Sequence, residues 1–239
     1  SVIYNAAREP EIVDLQALLR SMGARVNGAG GSIITVEGGT ALHGCTHRVI
    51  GDRIVCATYL CAAAAAGGEV RLTGVDYRAV STVALSLAES GCEVRSEADA
   101  VSLRSTGALR SVRPVRTAPY PGFPTDAQPV LMAALLRSEG CTVFVENIFE
   151  NRYRHVDELS RMGAEIRVVG RVAVVNGVRT LHGAAVKCTD LRGGAALVIA
   201  GLSAEGTTRV TELTHIDRGY DAIERDLAAL GAQIRRETT

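Results

Sequence analysis

The chain has 239 residues, of which 47% are hydrophobic, so it can bury the core of one large domain, or of one domain plus a piece of another. Its 26 basic residues balance 26 acidic residues, which gives no indication of a nucleic-acid partner or an anionic membrane. No apolar run reaches membrane-spanning length, and the N-terminus lacks the basic-then-apolar pattern of a secretion signal.

The cysteines and histidines give no indication of a metal site. The six cysteines form no C-x-x-C pair, and the five histidines include no pair spaced for a metal ion. In a chain of this length with a large apolar fraction, such cysteines are typical of reduced thiols in a cytoplasmic protein. We therefore expect no metal, no cofactor and a cytoplasmic location.

Four stretches with helical apolar spacing each end at a glycine and lead into a short alternating strand. The glycines are Gly23, Gly91, Gly163 and Gly231. Glycine suits the end of a helix because the residue after the last turn often adopts a left-handed conformation. A hairpin is predicted after the second and third of these helices, in the sequences EVRSEADAVSLRS and EIRVVGRVAVVNG.

Three aspartates each open a helix rich in Ala, Leu and Val that leads into a strand. Asp52, Asp126 and Asp190 occupy equivalent positions, and an aspartate there is typical of a helix N-cap. Residues 51–239 thus contain three copies of one unit and are predicted to form a nearly complete second domain. Residues 1–50 contain only the second half of a unit, whose exposed face needs a partner. We therefore expect them to end a first domain that begins outside this sequence.

Five local strings span most of the chain: NAAREPEIVDL, RTAPYPGFPTD, FENRYRHVDELSRMGA, TDLRGGAALVIAG and HIDRGYDAIERDLAALGA. Together they resemble the enolpyruvyl transferases, and more closely the branch that acts on UDP-N-acetylglucosamine than the shikimate branch. The resemblance implies an α/β fold of the inverted α/β barrel type, with helices inside and sheets outside. The barrel is built from repeated βαββαβ units with pseudo-threefold symmetry.

The resemblance also implies the reaction. The enolpyruvyl group of phosphoenolpyruvate would move to the 3′-hydroxyl of UDP-N-acetylglucosamine with release of phosphate. That reaction is the first committed step of peptidoglycan synthesis and serves cell-wall growth, cell shape and division. In this family a general-acid cysteine and a Lys-Asn pair belong to an N-terminal half that this sequence lacks. The expected partners are therefore both substrates and that missing half, without which we expect no activity.

Three residues are the predicted catalytic groups. The repeat favours Asp126 as a cap, whereas its FPTD context implies, by resemblance, the base that takes the hydroxyl proton. By resemblance Arg192 and Arg218 bind phosphoenolpyruvate and the charge that develops on it, since a planar guanidinium can grip a carboxylate or phosphate with two hydrogen bonds. Arg218 is predicted in a loop that Gly219 allows to bend. The alternative for both arginines is an ordinary surface charge.

The predicted substrate-binding residues are Asp126, Ile148, Phe149, Arg152, Glu9, Asp52 and Asp190. By resemblance, Ile148 and Phe149 help to form the uracil pocket, although a strand-end core residue is an equal alternative for Phe149. Arg152 adjoins them and could equally be a surface charge. Glu9 lies near the cleft by resemblance and could equally be a helix-start residue before Pro10. Asp52 and Asp190 are caps that face the cleft.

Two rival functions remain open at this level. One is a shikimate-branch enolpyruvyl transferase, which would lack a uracil pocket. The other is a catalytically dead repeat domain that binds a nucleotide sugar or a partner protein.

Overall fold

The computed structural model describes residues 1–237 and is an α/β structure. Its helices are α1 Pro10–Ser21, α2 Arg53–Ala66, α3 Tyr77–Glu89, α4 Gln128–Ala134, α5 Val156–Arg161, α6 Leu191–Leu202, α7 Thr214–Asp217 and α8 Ile223–Ala229. Its strands are β1 Val2–Tyr4, β2 Arg25–Asn27, β3 Ile33–Glu37, β4 Gly68–Thr73, β5 Glu93–Ser96, β6 Ala100–Ser105, β7 Val115–Arg116, β8 Cys141–Val145, β9 Glu165–Val169, β10 Val172–Asn176, β11 Leu181–His182, β12 Ala185–Lys187, β13 Ala204–Glu205 and β14 Arg209–Thr211.

Helices α2, α4 and α6 form the centre and pack against one another. All seven residues of α4 are buried, as is the stretch of α6 from Gly193 to Ala200. A helix that is apolar on every side must be surrounded by protein, and the small Ala and Gly side chains allow close helix approach. The Ala-rich sequences of these helices therefore place them inside the domain.

The sheets lie outside these helices. The first is ordered β4-β6-β5 and the second β7-β8-β10-β9, while the third unit contributes the parallel pairs β11-β13 and β12-β14. Both predicted hairpins are present as the antiparallel pairs β5-β6 and β9-β10. Helices inside and sheets outside confirm the predicted inverted α/β barrel.

The four predicted glycine helix ends are confirmed. Gly23, Gly91, Gly163 and Gly231 have φ values of 96°, 109°, 91° and 101°. After α1, the Ala24 amide donates to the Leu19 carbonyl at 2.9 Å, and the Gly23 amide donates to Arg20, also at 2.9 Å. This pair of bonds satisfies the last carbonyls of the helix and recurs after α3, α5 and α8.

The first 37 residues form a small layer of their own, in which α1 contacts the antiparallel sheet β1-β3-β2. None of the residues of α1 is buried. The main hydrophobic core runs from Cys56 to Leu227 and includes no residue of the first 50. Within residues 1–237, no helix is long and apolar enough to cross a membrane, and no cluster of metal-ligating side chains occurs.

Candidate functional site

Two of the three equivalent aspartates cap their helices. The Asp52 carboxylate accepts the amides of Ile54 and Val55 at 2.8 and 3.0 Å. The Asp190 carboxylate accepts the amides of Arg192 and Gly193 at 3.0 and 2.9 Å. Both side chains therefore serve the first turns of α2 and α6, as the repeat predicts.

Asp126 does not cap a helix, so the cap interpretation is wrong for this residue. It lies in a 3-10 turn, Thr125–Ala127, and α4 begins only at Gln128. Its carboxylate instead pairs with two arginines. Arg152 Nη2 donates to Oδ1 at 2.7 Å, while Arg192 Nε and Nη2 both donate to Oδ2, at 3.2 and 3.1 Å.

The three side chains of this ion-pair cluster differ in how far they are exposed to solvent. The side chains of Arg152 and Arg192 are 7% and 15% exposed, whereas that of Asp126 is 39% exposed. The surface-charge alternative is therefore wrong for both arginines. Burial lowers the pKa of Arg192, but Asp126 and then Tyr220 raise it by more, so the guanidinium stays charged. One buried cation, Arg152, and one largely buried cation, Arg192, thus present a carboxylate toward solvent.

Asp126 opens into a cleft of about 230 Å³ whose walls include Glu9, Arg53, Tyr120 and Ile148. Glu9 occupies the N-cap position of α1 without capping it, and its Oε2 is buried with no hydrogen-bond partner among residues 1–237. Arg53 Nε donates to Glu11 at 2.8 Å, and the Arg53 guanidinium lies 5.9 Å from the Tyr120 ring centre. The cleft therefore combines charged walls with an aromatic edge.

Ile148 and Phe149 follow β8 and are 46% and 51% exposed. The core interpretation is therefore wrong for Phe149. The Arg152 guanidinium carbon lies 4.5 Å from the centre of the Phe149 ring, so one arginine contacts both the exposed ring and Asp126. The structure thus joins the predicted binding loop to the predicted base through Arg152.

Arg218 stands apart from this cluster. The predicted loop is the one-turn helix α7, and Arg218 is the residue that ends it. Its side chain is exposed and makes no hydrogen bond or ion pair with the part of the chain that the structure describes. A Cβ atom on Gly219 would lie 2.8 Å from the side chain of Leu191. This glycine therefore permits close packing against α6 rather than a bend.

A second group of polar side chains forms a hydrogen-bond chain that begins at Arg192. Arg192 Nη1 donates to the Tyr220 hydroxyl at 3.5 Å, and that hydroxyl lies 2.8 Å from the Thr58 hydroxyl. Thr58 in turn donates to the Ile54 carbonyl at 2.8 Å. The sequence interpretation missed Tyr220 in this role, although it lies two residues after Arg218 in the HIDRGY string.

His155 is fully buried beside the same cluster. Its Nδ1 lies 3.1 Å from the Arg152 carbonyl oxygen, and its Nε2 has no partner within residues 1–237. Burial lowers the pKa of His155 to about 4, against a smaller opposing effect of Asp190. The imidazole is therefore neutral at physiological pH and packs the turn that carries Arg152.

The chain matches known proteins over almost all its length. The family model described as EPSP synthase (3-phosphoshikimate 1-carboxyvinyltransferase) matches residues 1–227. Proteins of Gluconacetobacter diazotrophicus and Zymomonas mobilis, both named UDP-N-acetylglucosamine 1-carboxyvinyltransferase, are 53% and 50% identical over 98% and 99% of the chain. The match covers 56% and 55% of those relatives, so the chain spans about half their length.

Solved structures show the same fold. The enolpyruvyl transferase NikO from Streptomyces tendae superposes with a TM-score of 0.83 at 29% identity, over 98% of this chain and 56% of that one. EPSP synthase from Acinetobacter baumannii superposes with a TM-score of 0.72 over 93% of this chain and 55% of that one. At 19% identity the second likeness is evidence for the fold alone.

Proposed function

The chain belongs to the EPSP synthase (3-phosphoshikimate 1-carboxyvinyltransferase) family, and from this premise we propose that it is part of a UDP-N-acetylglucosamine 1-carboxyvinyltransferase. Residues 1–50 would end a first domain and residues 51–239 would form most of the second. The separate core of the later residues supports this division. The partner half would supply the general acid and the rest of the site.

The arrangement of Asp126 carries the proposal. A carboxylate that caps no helix, faces a cleft and is held by one buried and one largely buried guanidinium group is placed to accept a proton from a bound hydroxyl. In the proposed reaction the 3′-hydroxyl oxygen bonds to C2 of phosphoenolpyruvate as its proton passes to Asp126. The partner half protonates the methylene carbon, and phosphate leaves when that carbon gives up a proton again.

The anionic substrate needs cations at the same place. Arg192 already lies within hydrogen-bond distance of Asp126, at the first turn of α6, where the helix amides also favour negative charge. Arg218 has its side chain in solvent, next to the turn that packs on Leu191 of α6. Both are proposed to bind the carboxylate and phosphate of phosphoenolpyruvate.

The half-exposed loop of Ile148 and Phe149 favours a nucleotide sugar over shikimate 3-phosphate. An exposed apolar side chain beside an aromatic ring offers a platform on which a planar uracil ring can lie. The Arg152 guanidinium packs against the Phe149 ring of that platform. Shikimate 3-phosphate has no aromatic ring to place there. Glu9, whose Oε2 lacks a partner, is proposed to accept a hydrogen bond from the substrate across the cleft.

Phosphate release tests the proposal. The complete enzyme should release phosphate from phosphoenolpyruvate with UDP-N-acetylglucosamine and not with shikimate 3-phosphate. The 239-residue chain alone should show no turnover, because the general acid is proposed to lie in the other half. Release with shikimate 3-phosphate, or turnover by the chain alone, would contradict the proposal. The activity would place the protein in the cytoplasmic stage of peptidoglycan synthesis, on which cell growth and division depend.

A further inference from the structure

Glu146, directly after β8, is a buried carboxylate that the proposed reaction does not use. It is 1% exposed and lies among backbone amides and threonine hydroxyls. Oε1 accepts the backbone amides of Ile148 and Phe149, each at 2.8 Å, and also lies 2.8 Å from the Thr117 hydroxyl. Oε2 lies 3.0 Å from the Thr125 hydroxyl.

The neighbouring donors fix the direction of both hydroxyl bonds. Arg152 Nε contacts the Thr125 hydroxyl oxygen at 3.1 Å, and a guanidinium can only donate. The Thr125 proton is therefore free to point at Glu146. In the same way the backbone amide of Asn147 donates to the Thr117 hydroxyl oxygen at 2.8 Å, which directs the Thr117 proton toward Glu146.

One path through this network leads to the proposed base. Glu146 orients the Thr125 hydroxyl, the hydroxyl accepts Arg152 Nε, and Arg152 Nη2 donates to Asp126 at 2.7 Å. A second path leads to the proposed binding loop, since the carboxylate holds the amides of Ile148 and Phe149. A single buried side chain thus spans both halves of the site.

We propose that Glu146 is a positioning residue that fixes the base Asp126, through Thr125 and Arg152, in register with the nucleotide-binding loop. It touches no substrate in this assignment. Its effect on turnover rests on the proposed function, whereas its effect on the loop does not. Buried hydrogen bonds to charged groups set geometry more strictly than exposed ones, and small displacements of a catalytic group are costly in rate.

Substitution at Thr125 separates the path to the base from the rest of the network. In the complete enzyme, Thr125→Val removes the hydroxyl that joins Glu146 to Arg152 and should lower kcat about tenfold, with little change in KM for UDP-N-acetylglucosamine. Thr125→Ser keeps the hydroxyl and should restore most of kcat. Thr142→Val is a matched control, because Thr142 is a buried threonine of β8 whose hydroxyl, among residues 1–237, accepts only the Val112 amide. It should leave kcat unchanged.

A double-mutant cycle tests whether Glu146 acts through Thr125. Glu146→Gln replaces one of the two carboxylate oxygens with an NH₂ group, although all the partners of Glu146 are donors. If the remaining oxygen accepts the amides of Ile148 and Phe149, the NH₂ group faces the Thr125 hydroxyl and cannot accept its proton. The Glu146→Gln and Thr125→Val losses in kcat should then overlap, so that the double variant is about as slow as either single one. Losses that multiply, or a Thr125→Val enzyme with normal kcat, would overturn the assignment.

Amide hydrogen exchange tests the second path without any activity. In Glu146→Ala the amides of Ile148 and Phe149 should exchange faster than in the wild type, while Thr125→Val should leave them protected. Unchanged protection in Glu146→Ala would refute the loop assignment. If Glu146→Ala does not fold, the same comparison is made with Glu146→Gln, where normal exchange and normal kcat together would refute the proposal. A wild-type enzyme without phosphate release would count against the proposed function alone.

Discussion

Asp126→Asn is the most informative single substitution, because the structure assigns the native carboxylate three hydrogen bonds and no cap. Two guanidinium nitrogens of Arg192 contact Oδ2, and one of Arg152 contacts Oδ1. Asparagine keeps one oxygen and turns an NH₂ group toward the other arginine. Whichever way the amide rotates, at least one of the two guanidinium groups loses its acceptor and both lose the opposite charge.

The expected loss of stability is modest but measurable. Removing one partner of a fully buried pair costs about 3–5 kcal/mol, yet Asp126 is 39% exposed and solvent screens part of that cost. We expect a loss of about 1–2 kcal/mol, which lowers Tm by about 1–4 °C for a complete enzyme about twice the length of this chain, because the entropy of unfolding scales with chain length. Turnover should fall more, by about 10²–10⁴-fold, if Asp126 is the base, with smaller changes in KM.

Phosphate release and thermal unfolding of the complete enzyme check both numbers. Asp76→Asn is a suitable control, since Asp76 caps α3 and pairs with the exposed Arg78, and neither residue lines the cleft. It should change neither turnover nor Tm appreciably, because asparagine caps nearly as well as aspartate. An Asp126→Asn enzyme with normal turnover would refute the base assignment, and an unchanged Tm would refute the buried ion-pair geometry.

Three further predictions follow from the same site. Arg218→Lys keeps the charge and loses the planar guanidinium, so kcat/KM for phosphoenolpyruvate should fall about ten- to a hundredfold. Binding of UDP-N-acetylglucosamine alone and Tm should stay unchanged. Normal kinetics would show that Arg218 is an ordinary surface charge. Phe149→Ala removes the aromatic ring on which the uracil is proposed to lie, so KM for UDP-N-acetylglucosamine should rise about tenfold in steady-state assays with kcat nearly constant. An unchanged KM would exclude Phe149 from the uracil pocket. His155 has a pKa of about 4 when folded and 6.5 when unfolded, so the unfolded state binds more protons between these values and stability falls as pH drops through that window. Relative to His155→Asn, which keeps a donor for the Arg152 carbonyl, the wild type should lose about 1 kcal/mol more between pH 7 and 5.5 in denaturant titrations; parallel profiles would contradict this.

Local patterns were sufficient to predict the helix ends and hairpins. A glycine after the last turn and alternating residues after it depend only on neighbouring residues. The structure confirms all four helix ends and the strands after Gly23, Gly91 and Gly163, whereas the strand predicted after Gly231 is wrong, since residues 232–237 form no strand. The inverted layering could not be derived from periodicity, because an apolar helix can be buried in several architectures. It came from the resemblance, and the structure and the relatives agree with it.

The polar network around Asp126 could not be predicted from sequence patterns. Glu146 follows a strand of ordinary alternating residues, and its partners Thr117 and Thr125 lie 29 and 21 positions away. No local motif connects an acid to hydroxyls at such distances. Arg152 was similarly ambiguous, since only the fold shows that it is buried under Phe149 and not on the surface.

The contrast among the three equivalent aspartates shows how a repeat can gain a site without changing its residue type. In the first and third units the helix begins immediately after Asp52 and Asp190, so backbone amides engage both carboxylates. In the second unit a 3-10 turn intervenes and Pro129, which has no amide proton, occupies the first turn of α4. The helix therefore starts two residues after Asp126 and leaves its carboxylate free of amide donors. Arg152 and Arg192 take the place of those amides, and we propose that this difference is what allows Asp126, rather than Asp52 or Asp190, to accept the substrate proton.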